Sequence, residues 1–152
     1  MTYTTAQGRQ QILDALAGAA NDIALALACL AEAYERLDEA SADRLERQLF
    51  RPVQLAYGRA QRTHGDFADR SGLAGQAFES RSPGAVSQTT KDLVERAIEA
   101  TGQAGQAVAE LQDSMLPVEV GDAQLRGDLA EIREIVGDIP TQGRELLRTL
   151  GR

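Results

Sequence analysis

The chain has 152 residues, a net charge of −7, one cysteine and one histidine. This length is typical of a single domain with a substantial hydrophobic core, so residues 1–152 are treated as one domain. One cysteine and one histidine exclude a disulfide scaffold, a four-ligand zinc site and an iron–sulfur cluster built from these residue types. The negative charge disfavours non-specific binding to nucleic acid or anionic lipid.

The sequence also bears on localisation. Cys29 has no second cysteine to pair with, which fits a reducing cytoplasm. The alanine-rich stretch from Ala15 to Ala31 could mimic a targeting signal, but Asn21 and Asp22 interrupt it and its start is not basic. It is also too short and too rich in alanine to span a bilayer. We therefore expect a cytoplasmic protein with no membrane span.

Apolar residues recur every three or four positions through most of the chain, which is the period of an α-helix. The stripe of the first segment includes Leu27 and Tyr34, and that of the second continues to Phe78. Ser87 and Asp122 precede the third and fourth segments as N-caps. The predicted helices cover residues of about 5–37, 42–79, 87–115 and 122–150.

Two prolines lie inside predicted helices. Pro52 in the second and Pro140 in the fourth each remove a backbone hydrogen bond and crowd the preceding turn. The links between the helices are short, which makes neighbouring helices antiparallel. The sequence therefore predicts an all-α fold, an up-down-up-down antiparallel four-helix bundle of long helices. Helix 2 should be bent near Pro52, and helix 4 should be perturbed near Pro140.

The third segment carries mostly alanine at its core positions between residues 97 and 107. Small side chains allow a neighbouring helix to approach closely, and close packing is the simpler interpretation. The alternative is a slot in the core that binds a small ligand or a lipid.

The sequence shows no catalytic or metal-binding constellation. It has no Glu-x-x-His pair for a carboxylate-bridged metal centre, no phosphate-binding glycine loop and no nucleophile elbow. We therefore expect no enzymatic activity, no cofactor and no metal. His64 could carry a phosphoryl group, but Phe67 and Ala68 stand where such domains have lysine and glycine. Phosphotransfer or signalling through His64 is kept as an alternative.

The second segment is basic within an acidic chain. Five arginines and one flank of ring-bearing side chains form a candidate partner-binding strip: Arg44, Arg47, Arg51, Arg59, Arg62, Phe50, Tyr57 and His64. The simpler interpretation is charge complementarity with neighbouring helices, which contributes little per exposed pair. The functional interpretation is a surface for an acidic partner, a phosphate-bearing ligand or RNA. The aromatic residues suit nucleic acid, but the overall acidity disfavours it.

The back of the first segment is apolar where an exposed helix face should be polar. The candidate self-association face consists of Gly18, Asn21, Asp22, Leu25 and Cys29. Helices that are apolar on both sides are usually buried on both sides, so this exposed face predicts a homodimer or contact with another helical protein. The alternative is that small alanines there only favour the helix. The leading hypothesis is a non-enzymatic helical bundle that acts through helix–helix contacts, as an oligomer or an adaptor.

Overall fold

The computed structural model describes residues 4–84 and 87–150, and all regular structure in these ranges is helical. The elements in chain order are α1 (Thr5–Arg36), α2 (Glu39–Leu45), a π-helical segment (Glu46–Phe50), α3 (Arg51–Ser71), α4 (Thr90–Asp113), α5 (Leu116–Glu119), α6 (Ala123–Gly137) and α7 (Ile139–Leu150). The predicted all-α class is confirmed for this part of the chain.

Helix α1 agrees closely with the prediction. It begins with a capping box, in which the Thr4 hydroxyl accepts from the Gln7 amide at 3.1 Å and the Gln7 side chain accepts from the Thr4 amide at 3.0 Å. By length and composition alone α1 is long and apolar enough to cross a membrane. The helix extends beyond the alanine-rich stretch at both ends. Within its most apolar 18 residues, 56% are buried in the protein, as in a core helix.

The second predicted helix is continuous through Pro52, but its turn at Glu46–Phe50 is π-helical, and the predicted bend near Pro52 stays a prediction. The Arg51 amide donates to the carbonyl of Glu46, five residues earlier, which is the hydrogen bond of a π-helix. Pro52 has no N–H group with which to continue the regular pattern, and this accounts for the irregular turn at this place.

The second predicted helix also ends earlier than expected. Helix α3 stops at Ser71 because Gly72 adopts a left-handed backbone with φ +67°, and the Leu73 amide donates back to the Ala68 carbonyl at 3.0 Å. The prediction that this helix reaches residue 79 was therefore wrong. Residues 73–84 have no regular secondary structure. We call this segment the strap.

The third helix begins three residues later than predicted, and its N-cap is Thr89 rather than Ser87. The Thr89 hydroxyl accepts from the Asp92 amide at 3.0 Å, and the Asp92 carboxylate accepts from the Thr89 amide at 3.2 Å. This reciprocal pair is a capping box that fixes the start of α4.

The fourth predicted helix is two helices. Pro140 lies in the first turn of α7, where a missing N–H group costs no helical hydrogen bond, so the chain restarts there. Asp122 caps α6 as predicted, and its carboxylate accepts from the Leu125 amide at 2.8 Å.

In the described residues, α1, α3, α4, α6 and α7 pack against one another. Helix α1 lies against α3 and α4, and α6 lies against the same two helices. Ion pairs show that α3 and α6 are antiparallel, because Arg59 pairs with Glu131 whereas Arg70 pairs with Asp122.

The core alanines of α4 lie where helices approach closely. Ala97, Ala100 and Ala104 are all buried in the main core, and α1 contributes Ala19 and Ala26 to the same core. The contact between α1 and α4 is the most extensive between helices of the described chain. This placement supports the close-packing interpretation of the alanines.

Candidate binding groove

A groove of about 490 Å³ follows the seam between α1 and the π segment with the start of α3. We call it the α1–α3 groove. Its floor is the α1 face of Ala24, Leu27, Ala28 and Ala31, its opposite wall is Phe50, Gln54 and Tyr57, and one end is closed by Ser80, Arg81 and Pro83 of the strap.

Helical spacing explains this arrangement. Phe50 and Tyr57 are seven residues apart, so they lie two turns apart on one side of the second helical unit. The floor residues recur on α1 with the same period. Ala28 and Ala31 are small, so the two helices leave open space between the α1 backbone and the aromatic rings. A larger apolar side chain at either alanine would fill this space.

The groove continues past Ala31. A second opening of about 290 Å³ is lined by Ala31, Tyr34, Glu35, Glu46 and Phe50. Tyr34 is 39% exposed, which is unusual for a large ring in a stripe predicted to be core. The floor therefore extends over the eleven residues from Ala24 to Tyr34, about 15 Å of helix.

The rim of the groove is mainly acidic. Glu32 and Glu35 border it on α1, and Glu46 borders it on the π segment. Arg36 pairs with Glu32 at 3.0 Å, and Arg51 approaches Glu46 at 3.7 Å. Among the described residues Glu35 makes no ion pair. Arg81 of the strap also lines the groove, so the negative charge that can attract a basic group is centred on Glu35, between α1 and the π segment.

The strap is fixed at its C-terminal end by α4. The Arg96 guanidinium donates to the Pro83 carbonyl and, at 2.9 Å, to the Gln88 side-chain oxygen. The Gln88 amide group also donates to the Pro83 carbonyl at 2.8 Å. Gly84 follows with φ +96°, and a side chain there would meet the Arg96 guanidinium at 3.0 Å. This end of the groove is therefore a built part of the fold.

The strap covers His64. The Phe78 ring packs edge-on against the imidazole, and Gly75 passes so close that a side chain there would lie 3.3 Å from the imidazole Cε1. His64 is 3% exposed, and this burial lowers its pKa, while the negative charge of Asp14 opposes the shift. A phosphoryl donor cannot reach the imidazole while the strap is in this position.

The strap also crosses the candidate self-association face. Gly18 is exposed, Asn21, Asp22 and Leu25 are half-buried, and Cys29 is fully buried. The expectation that Cys29 is exposed was therefore wrong. The positions of residues around α1 alone do not reveal which of them are buried by other segments of the chain. Self-association through this face remains a prediction.

Two electrostatic effects accompany this cover. Burial raises the pKa of the Asp22 carboxyl, and Arg81 of the strap opposes that shift. Burial likewise raises the pKa of the Cys29 thiol, and Arg96 opposes it. Arg81 belongs to the strap and Arg96 to α4, so the positive charge that the strap itself brings towards α1 is that of Arg81.

The structure does not bring the candidate partner-binding strip together as one surface. Phe50 and Tyr57 line the α1–α3 groove, and His64 lies beneath the strap. The arginines lie in different surroundings: Arg59 pairs with Glu131 at 3.0 Å, Arg47 and Arg51 line a trough on the other flank of the π segment, and Arg44 and Arg62 make no ion pair within the described ranges.

The α1 floor of the groove was not predicted from the sequence. Leu27 and Tyr34 fall on the apolar stripe and were assigned to the core, and Ala28 and Ala31 carry no chemical signal of their own. The available signal was the pairing of small residues on one helix with Phe50 on a neighbouring one. That signal is visible only when the two helices are known to be adjacent.

Comparison with protein-family models, curated proteins and solved structures gives no match for this chain.

Proposed function

We propose that the protein is a non-enzymatic helical adaptor that binds an amphipathic helix of a partner protein in the α1–α3 groove. The observation that carries the proposal is an apolar floor of small side chains left open opposite Phe50 and Tyr57. Partner helices are commonly recognised in such grooves, into which they place their apolar face. We also propose the up-down-up-down topology that the sequence predicts. In this bundle the run from α2 to α3 forms the second helical unit, and α6 together with α7 forms the fourth.

The size of the groove defines the partner segment. A floor of about 15 Å matches about three turns of helix. A helix of that length places apolar side chains at positions i, i+4 and i+7 on one face. Large anchors such as leucine or phenylalanine would occupy the space above Ala28 and Ala31 and contact Phe50 and Tyr57.

The rim defines the charge of the partner. Glu35 is unpaired among the described residues, and the pairs at Glu32 and Glu46 are partly exposed. A helix with lysine or arginine beside its apolar ridge would complement this rim. Complementary rim charges act mainly on the association rate and on the choice of partner. Affinity itself would come from the apolar anchors.

Two synthetic helical peptides test the proposal. They share one apolar ridge, and one has lysine flanks whereas the other has glutamate flanks. Fluorescence anisotropy should show saturable binding of the lysine peptide and weaker binding of the glutamate peptide. Ala31→Trp, which fills the groove, should abolish binding. Ala130→Trp alters a similarly exposed alanine on α6 and should leave binding intact.

Circular dichroism establishes that both tryptophan variants are folded. Equal peptide binding by the two variants would contradict the groove as the site. Failure of both peptides to bind the wild-type protein would contradict the adaptor function itself.

A further inference from the structure

A second surface lies on the other flank of the π segment. A trough of about 690 Å³ separates this segment and the start of α3 from the junction of α6 and α7. We call it the α3–α6 trough. Leu55 lies in it with 51% of its surface exposed, beside the partly buried Ile135. A single exposed leucine is common on protein surfaces, so the argument for a contact here depends on the charges that surround Leu55.

The two sides of the trough carry opposite charges. Arg47 and Arg51 lie on one side, and Glu134 and Asp138 lie on the other. Arg47, Glu134 and Asp138 make neither an ion pair nor a side-chain hydrogen bond within the described ranges. Arg51 has only its long 3.7 Å approach to Glu46. The trough therefore holds complementary charges that do not meet within one chain.

The same two helices do join further along. Arg59 of α3 reaches Glu131 of α6 at 3.0 Å, and Arg70 reaches Asp122 at 2.8 Å. The basic side of α3 and the acidic side of α6 are thus joined by ion pairs along their length, except at the trough. There the side-chain oxygen of Gln48 is also buried without a hydrogen-bond donor. An occupant that carries charges of both signs would pair with Arg47 on one side of the trough and with Glu134 and Asp138 on the other.

We propose that the α3–α6 trough is a homodimer interface, occupied by a second copy of this chain. A partner of a single charge sign, such as a nucleic acid, would be attracted by one side of the trough and repelled by the other. A second copy carries both signs at the same spacing. A two-fold axis running along the trough places the arginine side of each copy over the acidic side of the other, and Leu55 meets its counterpart near the axis.

This interface does not depend on the adaptor function. Phe50 faces the α1–α3 groove, whereas Arg47 and Leu55 face the trough, so the two sites lie on different flanks of the π segment. A dimer formed through the trough leaves both grooves open. This interface differs from the self-association face predicted from the sequence. That face lies on α1 and is partly covered by the strap, whereas the trough lies between α3 and α6.

Sedimentation velocity over a concentration series tests the interface. The wild-type protein should form dimers, and Leu55→Glu should raise the dissociation constant at least about tenfold, because two leucines lose their apolar contact. Val118→Glu alters an even more exposed apolar residue on α5 and should leave dimerisation unchanged. A dimer insensitive to Leu55→Glu, or a wild-type protein that stays monomeric at every concentration, would overturn the proposal.

Charge reversal tests the two-fold arrangement independently. Changing Arg47 and Arg51 together to glutamate should weaken the dimer at least about tenfold, and so should changing Glu134 and Asp138 to lysine. Reversing all four should restore it, because each side again faces its opposite. Thermal denaturation confirms that the variants fold. Absence of restoration, or a dimer abolished by Leu25→Glu instead, would overturn the assignment.

Discussion

The ring of Phe78 meets the imidazole of His64 edge to face, with centroids 5.1 Å apart and ring planes inclined at 80°. Phe78 belongs to the irregular strap, and His64 belongs to α3. The strap is therefore held at two places, by His64 in its middle and by Arg96 near its end. Because it is held, Ser80 and Pro83 can form a fixed end wall of the α1–α3 groove.

The burial of His64 predicts a pH dependence of stability. Its folded pKa lies below the ordinary value of 6.5, so on acidification the unfolded chain binds the proton first. The free energy of unfolding should therefore be constant with respect to this group above about pH 7.5 and fall as the pH passes below about 6.5. His64→Gln should remove this part of the dependence. Urea denaturation of both proteins at pH values on either side of 6.5 measures it, and identical slopes would contradict the account.

The left-handed backbone at Gly72 predicts a conformational cost for any side chain. No atom lies within 4 Å of the place of a Cβ atom there, so the effect comes from φ +67° alone. Gly72→Ala should lower the free energy of unfolding by about 1 kcal/mol, and Gly72→Asn should lower it less. Chemical denaturation gives both values. A stabilised Gly72→Ala variant would show that α3 can continue, as the apolar spacing indicated.

Gly143 is closely packed whereas Gly102 is not, so changing each glycine to alanine should have opposite effects on stability. A Cβ atom on Gly143 would lie 2.5 Å from the Ile98 Cγ1, whereas one on Gly102 would meet nothing within 4 Å. Gly143→Ala should therefore destabilise the protein by about 1–3 kcal/mol through overpacking. Gly102→Ala should stabilise it by about 0.5–1 kcal/mol, since alanine favours the helix. Thermal melts of the two variants compare them directly, and equal effects would refute the close contact of α4 with α7.

Asp122 has two roles that can be separated. Its carboxylate caps α6 through the Leu125 amide and accepts two hydrogen bonds from Arg70, at 2.8 and 3.1 Å. The Arg70 hydrogen bonds hold the pKa of Asp122 below its ordinary range. Asp122→Ala should cost about 1–2 kcal/mol, mainly from the lost cap, and Asp122→Asn should cost less because the amide oxygen still caps.

The charge of Asp122 adds a pH signature to this prediction. Its pKa is lower in the folded protein, so its stabilising contribution is present above the ordinary value of 3.8 and is lost as the pH falls through the folded value. Urea denaturation near pH 7 and near pH 3 should show a larger difference between wild type and Asp122→Asn at the higher pH. The same difference at both pH values would argue against the ion pair.

Periodicity predicted those helices whose apolar stripe and caps agree. Helix α1 has both, and it was located to within a residue. The second segment shows why periodicity alone is insufficient. Its spacing continues through Phe78, but Gly72 ends the helix, and Phe78 is apolar because it packs from the strap onto His64. Apolar residues mark positions that are buried. Such positions occur in an irregular segment that packs onto the core as well as in a helix.

The groove depends on tertiary relationships that no local pattern contains. The sequence singled out Phe50 and Tyr57 for their spacing, and both do line the groove. The floor opposite them depends on the adjacency of α1. The arginines of the strip were grouped by their place in the sequence, whereas the helix directs Arg59 towards α6 and Arg47 towards the trough.

Binding of a basic amphipathic helix in the α1–α3 groove is a proposal that can be followed residue by residue in solution. Backbone amide NMR during titration with the lysine-flanked peptide tests it most directly, because each amide reports its own surroundings. We predict chemical-shift changes that saturate and are concentrated between Ala24 and Tyr34, around Phe50 and Tyr57, and at the strap residues Ser80 to Pro83. Changes concentrated on the outer faces of α4 or α6, or no changes at all, would contradict it.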